Sequence, residues 1–220
     1  MISIEKIEID VANQGHITNS YLVYDENKET ILIDPGYNEN KIIDVIKSLN
    51  VNVRYIIITH AHGDHIGALE KIQKYTNAKI IVHKNDYKAL MSEEENYSEM
   101  LNVPKQNLTK ESIIEIEDGY KLKFSNLKFE IIHTPGHTSG SICIYDMVSN
   151  KLFTGDTIFC DCYGRCDLYS GNFSDMVNSI KKIFARFNDI TIYPGHNEIV
   201  NINSAKKYIK MLFAIKGITI

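Results

Sequence analysis

Seven side chains of this sequence have the types and the spacing to hold metal ions. Four of them fall within one short run, His60-Ala61-His62-Gly63-Asp64-His65. Imidazole and carboxylate are good ligands for a divalent ion such as zinc, iron or manganese. His60 and His62 are two residues apart, so an extended or turning chain aims both at one ion. Asp64 and His65 follow where the chain enters a helix, and they face a neighbouring point. Gly63 lets the turn between them be tight. A helix-borne motif would instead space its histidines at i and i+4, so this is a strand-end site. The other three candidates are His137, Asp156 and His196. They stand in His133-Thr134-Pro135-Gly136-His137, Gly155-Asp156 and Pro194-Gly195-His196. Seven donors are too many for one tetrahedral ion and suit two. Two metals about 3.5–4 Å apart form a hydrolytic clamp.

Each donor group follows an apolar run that reads as a strand. Tyr55-Ile56-Ile57-Ile58-Thr59 is short and β-branched, as a strand covered on both faces should be. Residues 129–132, 152–154 and 190–193 play the same part for His137, Asp156 and His196. Upstream, Ile4 to Val11 alternates, Ser20 to Tyr24 follows, and Thr30 to Asp34 is a buried run closed by Pro35-Gly36. Residues 38–49 have helical spacing, with Ile42, Ile43, Val45 and Ile46 on one face. Residues 67–75 also read as helix, and 79–82 as a strand. Residues 84–112 are polar and weakly periodic, and one or two surface helices are expected there. The pattern then restarts with strands over 121–124, 128–132, 141–145 and 151–154. Asn126 and Ser149-Asn150 supply turn signals. Ser174 is expected to cap a helix running to Phe187, and Ser204 a final helix. The strand-rich, helix-flanked pattern occurs twice. Two mixed sheets packed face to face, with helices outside, satisfy it: an α/β four-layer αββα sandwich.

Composition limits the partners. A chain of 220 residues, 44% hydrophobic and 24% charged, is expected to form a single domain over 1–220. Its net charge is −4, and Lys181-Lys182 and Lys206-Lys207 are isolated pairs, so no nucleic acid partner is expected. No run approaches the ~18 apolar residues of a membrane span. The charged start lacks the apolar core of a signal peptide. Cys143, Cys160, Cys162 and Cys166 do not form a disulfide framework. A cytoplasmic, reduced protein is expected, and its oligomeric state is left open. Of the eight histidines, His16, His83 and His133 are read as ordinary, His133 ordering its loop. The three clustered cysteines are read as simple replacements rather than a redox device. Tyr163 and Tyr169 are candidates to line a substrate pocket.

These motifs resemble the metallo-β-lactamase-fold hydrolases. The carrying residues are His60 to His65, Thr134-Pro135-Gly136-His137-Thr138, Phe153-Thr154-Gly155-Asp156-Thr157 and Tyr193-Pro194-Gly195-His196. The resemblance runs across nearly the whole chain and implies the same αββα fold. It implies a first metal on His60, His62 and His137. The second falls to Asp64, His65 and His196, with Asp156 bridging. Two such cations bring the pKa of a shared water near 7, so that a hydroxide exists at neutral pH. Asp64 would also orient that hydroxide. Zinc is the first choice for both ions, with iron or manganese as alternatives.

Within the family, residues 137–142, 153–159 and Gly164-Arg165 look most like the glyoxalase II (hydroxyacylglutathione hydrolase) branch. That implies a small-molecule thioester substrate, with Arg165 holding an anionic part of it. Full-length glyoxalase II carries a C-terminal helical domain, whereas only one helix fits after His196. The chain therefore resembles the short members. The alternative from another class is a mononuclear-iron persulfide dioxygenase. Lactonase, β-lactamase and phosphodiesterase or nuclease activities rank lower on the same centre.

Overall fold

The computed structural model describes residues 1–11 and 15–219. Its first sheet carries six strands in the order β1 (Ser3–Asp10), β2 (Ile17–Tyr24), β3 (Glu29–Ile33), β4 (Asn52–Ile57), β5 (Lys79–His83) and β6 (Ile113–Ile116). The first three are antiparallel, and β3 to β6 run parallel. The second sheet has the order β12 (Val200–Asn201), β11 (Thr191–Pro194), β10 (Lys151–Gly155), β9 (Ile142–Asp146), β8 (Leu127–His133) and β7 (Lys121–Phe124). Only β10 and β11 pair in parallel there.

The period of two in each strand builds three apolar layers. Ile31, Ile33 and Ile57 point inward and meet Phe129, Ile131 and Phe153 from the other sheet. Their neighbours Leu32, Ile56 and Ile58 point outward and pack beneath α1 (Glu39–Leu49) and α3 (Leu69–Thr76). On the far side, Ile132, Leu152 and Ile192 pack beneath α4 (Phe173–Arg186) and α5 (Ile202–Ile215). This is the expected αββα sandwich.

Several local expectations change. The region 84–112 holds no regular α-helix, only single 3-10 turns at Ala89–Met91 and Lys110–Ser112. Its Asn and Ser side chains bond nearby backbone instead, as Asn96 does in accepting from Ser98 N at 2.9 Å. The strand β6 at its end was not foreseen. The helix expected over 67–75 is α3, Leu69–Thr76, and a separate short helix α2 (Gly63–Ile66) precedes it. The caps are also different. Asn172 accepts from Asp175 N, and Asn201 from Asn203 N, so both late helices begin earlier than Ser174 and Ser204 predict. All four cysteines are free. Among the described residues no helix is long and apolar enough to cross a membrane.

Candidate metal centre

The seven donors converge because each leaves the same end of a parallel or inner strand. His60 and His62 follow β4, and Asp64 and His65 lie in α2, one turn on. His137 lies in the turn after β8, Asp156 directly after β10, and His196 two residues after β11. The register of β10 on β11 pairs Gly155 with Pro194, which sets Asp156 and His196 side by side. Asn19 secures the last loop. Its side-chain amide donates to Pro194 O at 3.0 Å and Asn197 O at 2.9 Å.

Donor atoms gather in compact groups. One is His60, His62 and His137; another is His60, His65 and Asp156; within each, the candidate atoms lie within 4.8 Å of one another. Asp156, a member of the second group, also reaches a histidine of the first. Its Oδ2 is 3.5 Å from His137 Nε2 and 3.4 Å from His196 Nε2, and its Oδ1 is 3.4 Å from His65 Nε2. Asp64 Oδ2 is 3.3 Å from His196 Nε2 and 3.6 Å from His65 Nε2.

The imidazoles are oriented for metal from behind. His137 Nδ1 donates to Arg165 O at 2.7 Å, and His196 Nδ1 to Ile17 O at 2.6 Å. His65 Nδ1 donates to Asp34 Oδ2 at 2.9 Å. Thr59 Oγ1 gives its own proton to Asp34 Oδ2 at 2.6 Å, so it accepts from His60 Nδ1 at 3.2 Å. With the proton held on Nδ1, the Nε2 lone pair faces the centre. The buried atoms His60 Nε2, His62 Nε2, His137 Nε2 and Asp156 Oδ1 have no hydrogen-bond partner. Orphaned buried acceptors of this kind are costly, and bound divalent cations would satisfy them. The donor set therefore fits two metal ions.

Charge supports the same reading. Burial, helped by neighbouring histidines, holds His60 well below the usual imidazole range. It pushes His62 down to about 3, so both offer neutral imidazoles. Burial opposes ionisation of Asp64 and Asp156, but the surrounding imidazoles outweigh it and hold both carboxyls well below the usual range. Burial likewise opposes a proton on His65 and His196, yet the two carboxylates win and raise them to about 9 and about 11. The two carboxylates thus make this a place that favours positive charge.

Two carboxylates that sequence reading did not single out hold the loops. Asp34 accepts from Thr59 N at 2.8 Å as well as from Thr59 Oγ1 and His65. Asp86 accepts from Ala61 N at 2.9 Å, Thr138 Oγ1 at 2.8 Å and Gly140 N at 2.8 Å, tying the His60–His62 loop to the His137 loop. Burial holds the Asp86 carboxyl above its usual range. Asp34 had a signal, a carboxylate closing a buried strand; Asp86 had none.

The centre floors a cavity of about 690 Å³. Tyr97, Met100, Leu101, Phe159 and Leu168 make its apolar wall. Arg165 stands at the rim, with both Nε and an Nη bonded to Asp167 at 2.8 Å. Tyr163 is not brought to the cavity. Its ring packs on Phe213 at 5.1 Å and Phe173 at 6.1 Å, because the loop turns that side chain toward the outer helices. Tyr169 is exposed and likewise does not line it. His133 accepts no such role: its Nε2 donates to Ser139 O at 2.9 Å and its ring stacks on His83 at 3.9 Å. His16, read as ordinary, instead meets Asp64 Oδ2 at 2.9 Å.

Gly195 has no room for a side chain. A Cβ there would overlap Asp156 Oδ1 and stand 2.7 Å from His65 Cε1. Gly195→Ala is expected to weaken metal binding at least about tenfold, the scale of a disturbed ligand shell. Metal titration of the purified variant checks this. Unchanged affinity would mean that the loop yields freely.

Comparison with known proteins gives a consistent picture. A model of the metallo-beta-lactamase superfamily matches residues 14–196. The hydroxyacylglutathione hydrolase GloC of Haemophilus influenzae is 29% identical over 190 residues, covering 86% of this chain and 90% of that protein. A probable metallo-hydrolase of Methanocaldococcus jannaschii is 39% identical over 191 residues, covering 84% and 90%. Among solved structures, the BLEG-1 B3 metallo-beta-lactamase superposes with a TM-score of 0.85 at 26% identity, covering 96% of this chain and 99% of that one.

Proposed function

This chain belongs to the metallo-beta-lactamase superfamily of metal-dependent hydrolases, and from that premise we propose that it cleaves a small-molecule thioester at a two-metal centre. The observation that carries the reading is Asp156, whose two oxygens reach histidines of both donor groups while the buried Nε2 atoms of His60, His62 and His137 lack partners. In this reading His60, His62 and His137 hold one ion, and Asp64, His65 and His196 hold the other. Asp156 is shared. Zinc is the first choice, with iron and manganese suited to the same donors. Bound there, the ions supply Lewis acidity and bring the pKa of water toward 7.

The chain's own residues do the rest. Asp64 orients the attacking water toward the substrate carbonyl. The apolar wall of Tyr97, Met100, Leu101, Phe159 and Leu168 shields the acyl group from bulk solvent. Arg165 can turn from Asp167 to an anionic substrate group, because an exposed ion pair is weak and screened by salt. The similarity to GloC, named as a hydroxyacylglutathione hydrolase, supports a thioester over other acyl compounds.

The test is a panel of thioesters, S-lactoylglutathione included, assayed on protein loaded with zinc, iron or manganese. Turnover is expected with at least one metal, at about two ions per chain by elemental analysis. No thioester turnover in fully metallated protein would end this reading. One iron per chain with oxygen uptake on a persulfide would replace it with the dioxygenase.

A further inference from the structure

His16 stands far from the metal motifs in sequence, yet the fold carries it to the centre. It lies just ahead of β2, the strand whose Ile17 carbonyl oxygen orients His196. Its Nε2 is 2.9 Å from Asp64 Oδ2, and its ring centroid is 4.7 Å from that of His196. His16, Asp64 and His196 form a third group whose candidate atoms all lie within 4.8 Å of one another. The side chain is 51% exposed and opens on the cavity, so no packing requirement explains an imidazole there.

The donor spacing is informative. Ligands about 2.0–2.1 Å from one ion stand about 2.9 Å apart at a right angle and about 3.3 Å apart at a tetrahedral angle. The His16–Asp64 separation of 2.9 Å matches the first value, and the His65–His196 and Asp64–His196 separations of 3.3 Å match the second. The atoms therefore have the spacing of neighbours around one ion.

We propose that His16 is a further protein ligand of the second metal ion, bound through Nε2 beside Asp64 and His196. This rests on the two-metal reading above. It gives the second ion His16, Asp64, His65, His196 and the shared Asp156. Five protein donors exceed the four of a tetrahedral zinc site. The second position then favours an ion that accepts five or six ligands, such as iron(II) or manganese(II). The site is also asymmetric, since among the described residues no further donor of this kind joins the group of His60, His62 and His137.

The test uses full-length protein stripped with a chelator and reloaded with cobalt(II), whose bound imidazoles give hyperfine-shifted proton signals. The wild type is expected to take up two ions. His16→Ala should lose the shifted ring signals of one histidine and bind the second ion at least about tenfold more weakly, the first being unchanged. Free imidazole should restore a shifted signal in the variant, because the lost side chain leaves a gap open to the cavity. At a half-exposed position the substitution should leave the fold intact, and a thermal melt checks this. If His16→Ala keeps every shifted imidazole signal, His16 only donates a hydrogen bond to Asp64 and the proposal is overturned, even with weaker binding. A wild type that binds one ion only overturns both this proposal and the two-metal reading.

Discussion

Asp156→Ala is expected to reduce hydrolysis at least about a thousandfold and to leave the protein unable to retain two ions together. The two carboxylate oxygens stand 3.4–3.5 Å from His65, His137 and His196. Among the described residues Asp156 is the carboxylate placed against histidines of both donor groups. Metal-derived charge stabilisation is worth several kcal/mol, and about 1.4 kcal/mol is tenfold in rate. Losing the shared anion also leaves two cations facing each other with less negative charge between them. Asp156→Asn keeps the volume but not the charge, and it should fall nearly as far. Elemental analysis and steady-state kinetics on the metallated variants decide the matter. Near-normal turnover with two retained ions would show that Asp156 is not shared.

Asp34 is the second position where a large effect is expected, and two substitutions separate its roles. Asp34→Ala removes the acceptor for Thr59 N, Thr59 Oγ1 and His65 Nδ1 in a buried setting. Breaking a buried charged network of this kind costs about 3–5 kcal/mol. At about 2–4 °C per kcal/mol for a chain of this size, the melting temperature should fall by about 10 °C. Asp34→Asn is more revealing. The backbone Thr59 N–H can only donate, so the amide oxygen must stay on its side. The amide NH2 then faces Thr59 Oγ1 and His65 Nδ1. Thr59 can rotate its proton away. His65 must move its proton to Nε2, which blocks that nitrogen as a ligand. The asparagine variant should therefore keep most of its stability and lose the second ion about 10–100-fold. Equal loss of both ions, or of neither, would show that Asp34 does not act through His65.

The site was legible in sequence where its chemistry is local. His60, His62, Asp64 and His65 are neighbours, and Gly63 serves the turn among them, so their types and spacing announce a metal site without a fold. The apolar runs before His137, Asp156 and His196 mark strands, and a strand end is where a side chain can leave a sheet for a site. The misses share one cause. His16, Asp34 and Asp86 act through partners that are distant in sequence, and even the place of Asp34 at the close of a buried strand does not name those partners. Tyr163 shows the converse. It lies in the right loop, but the turn of that loop sends its ring to Phe213 on α5. Residues 84–112 lacked periodicity, and side-chain bonds to backbone took the place of helix there.

The His/Asp motifs determined the donor types, the strand-end placement and a metal-dependent chemistry, because those depend on residues within a few positions of each other. The sandwich follows almost as directly, since continuous apolar runs must bury both faces of each inner strand. What only the tertiary structure decided is which donors meet. The pairing of Gly155 with Pro194 sets Asp156 beside His196, and the Asn19 bonds hold the loop that carries His196 against the first sheet. The same approach of the two sheets brings His16 to Asp64. Such meetings are set by strand register and sheet packing, which are sums over many contacts, so no single motif can encode them.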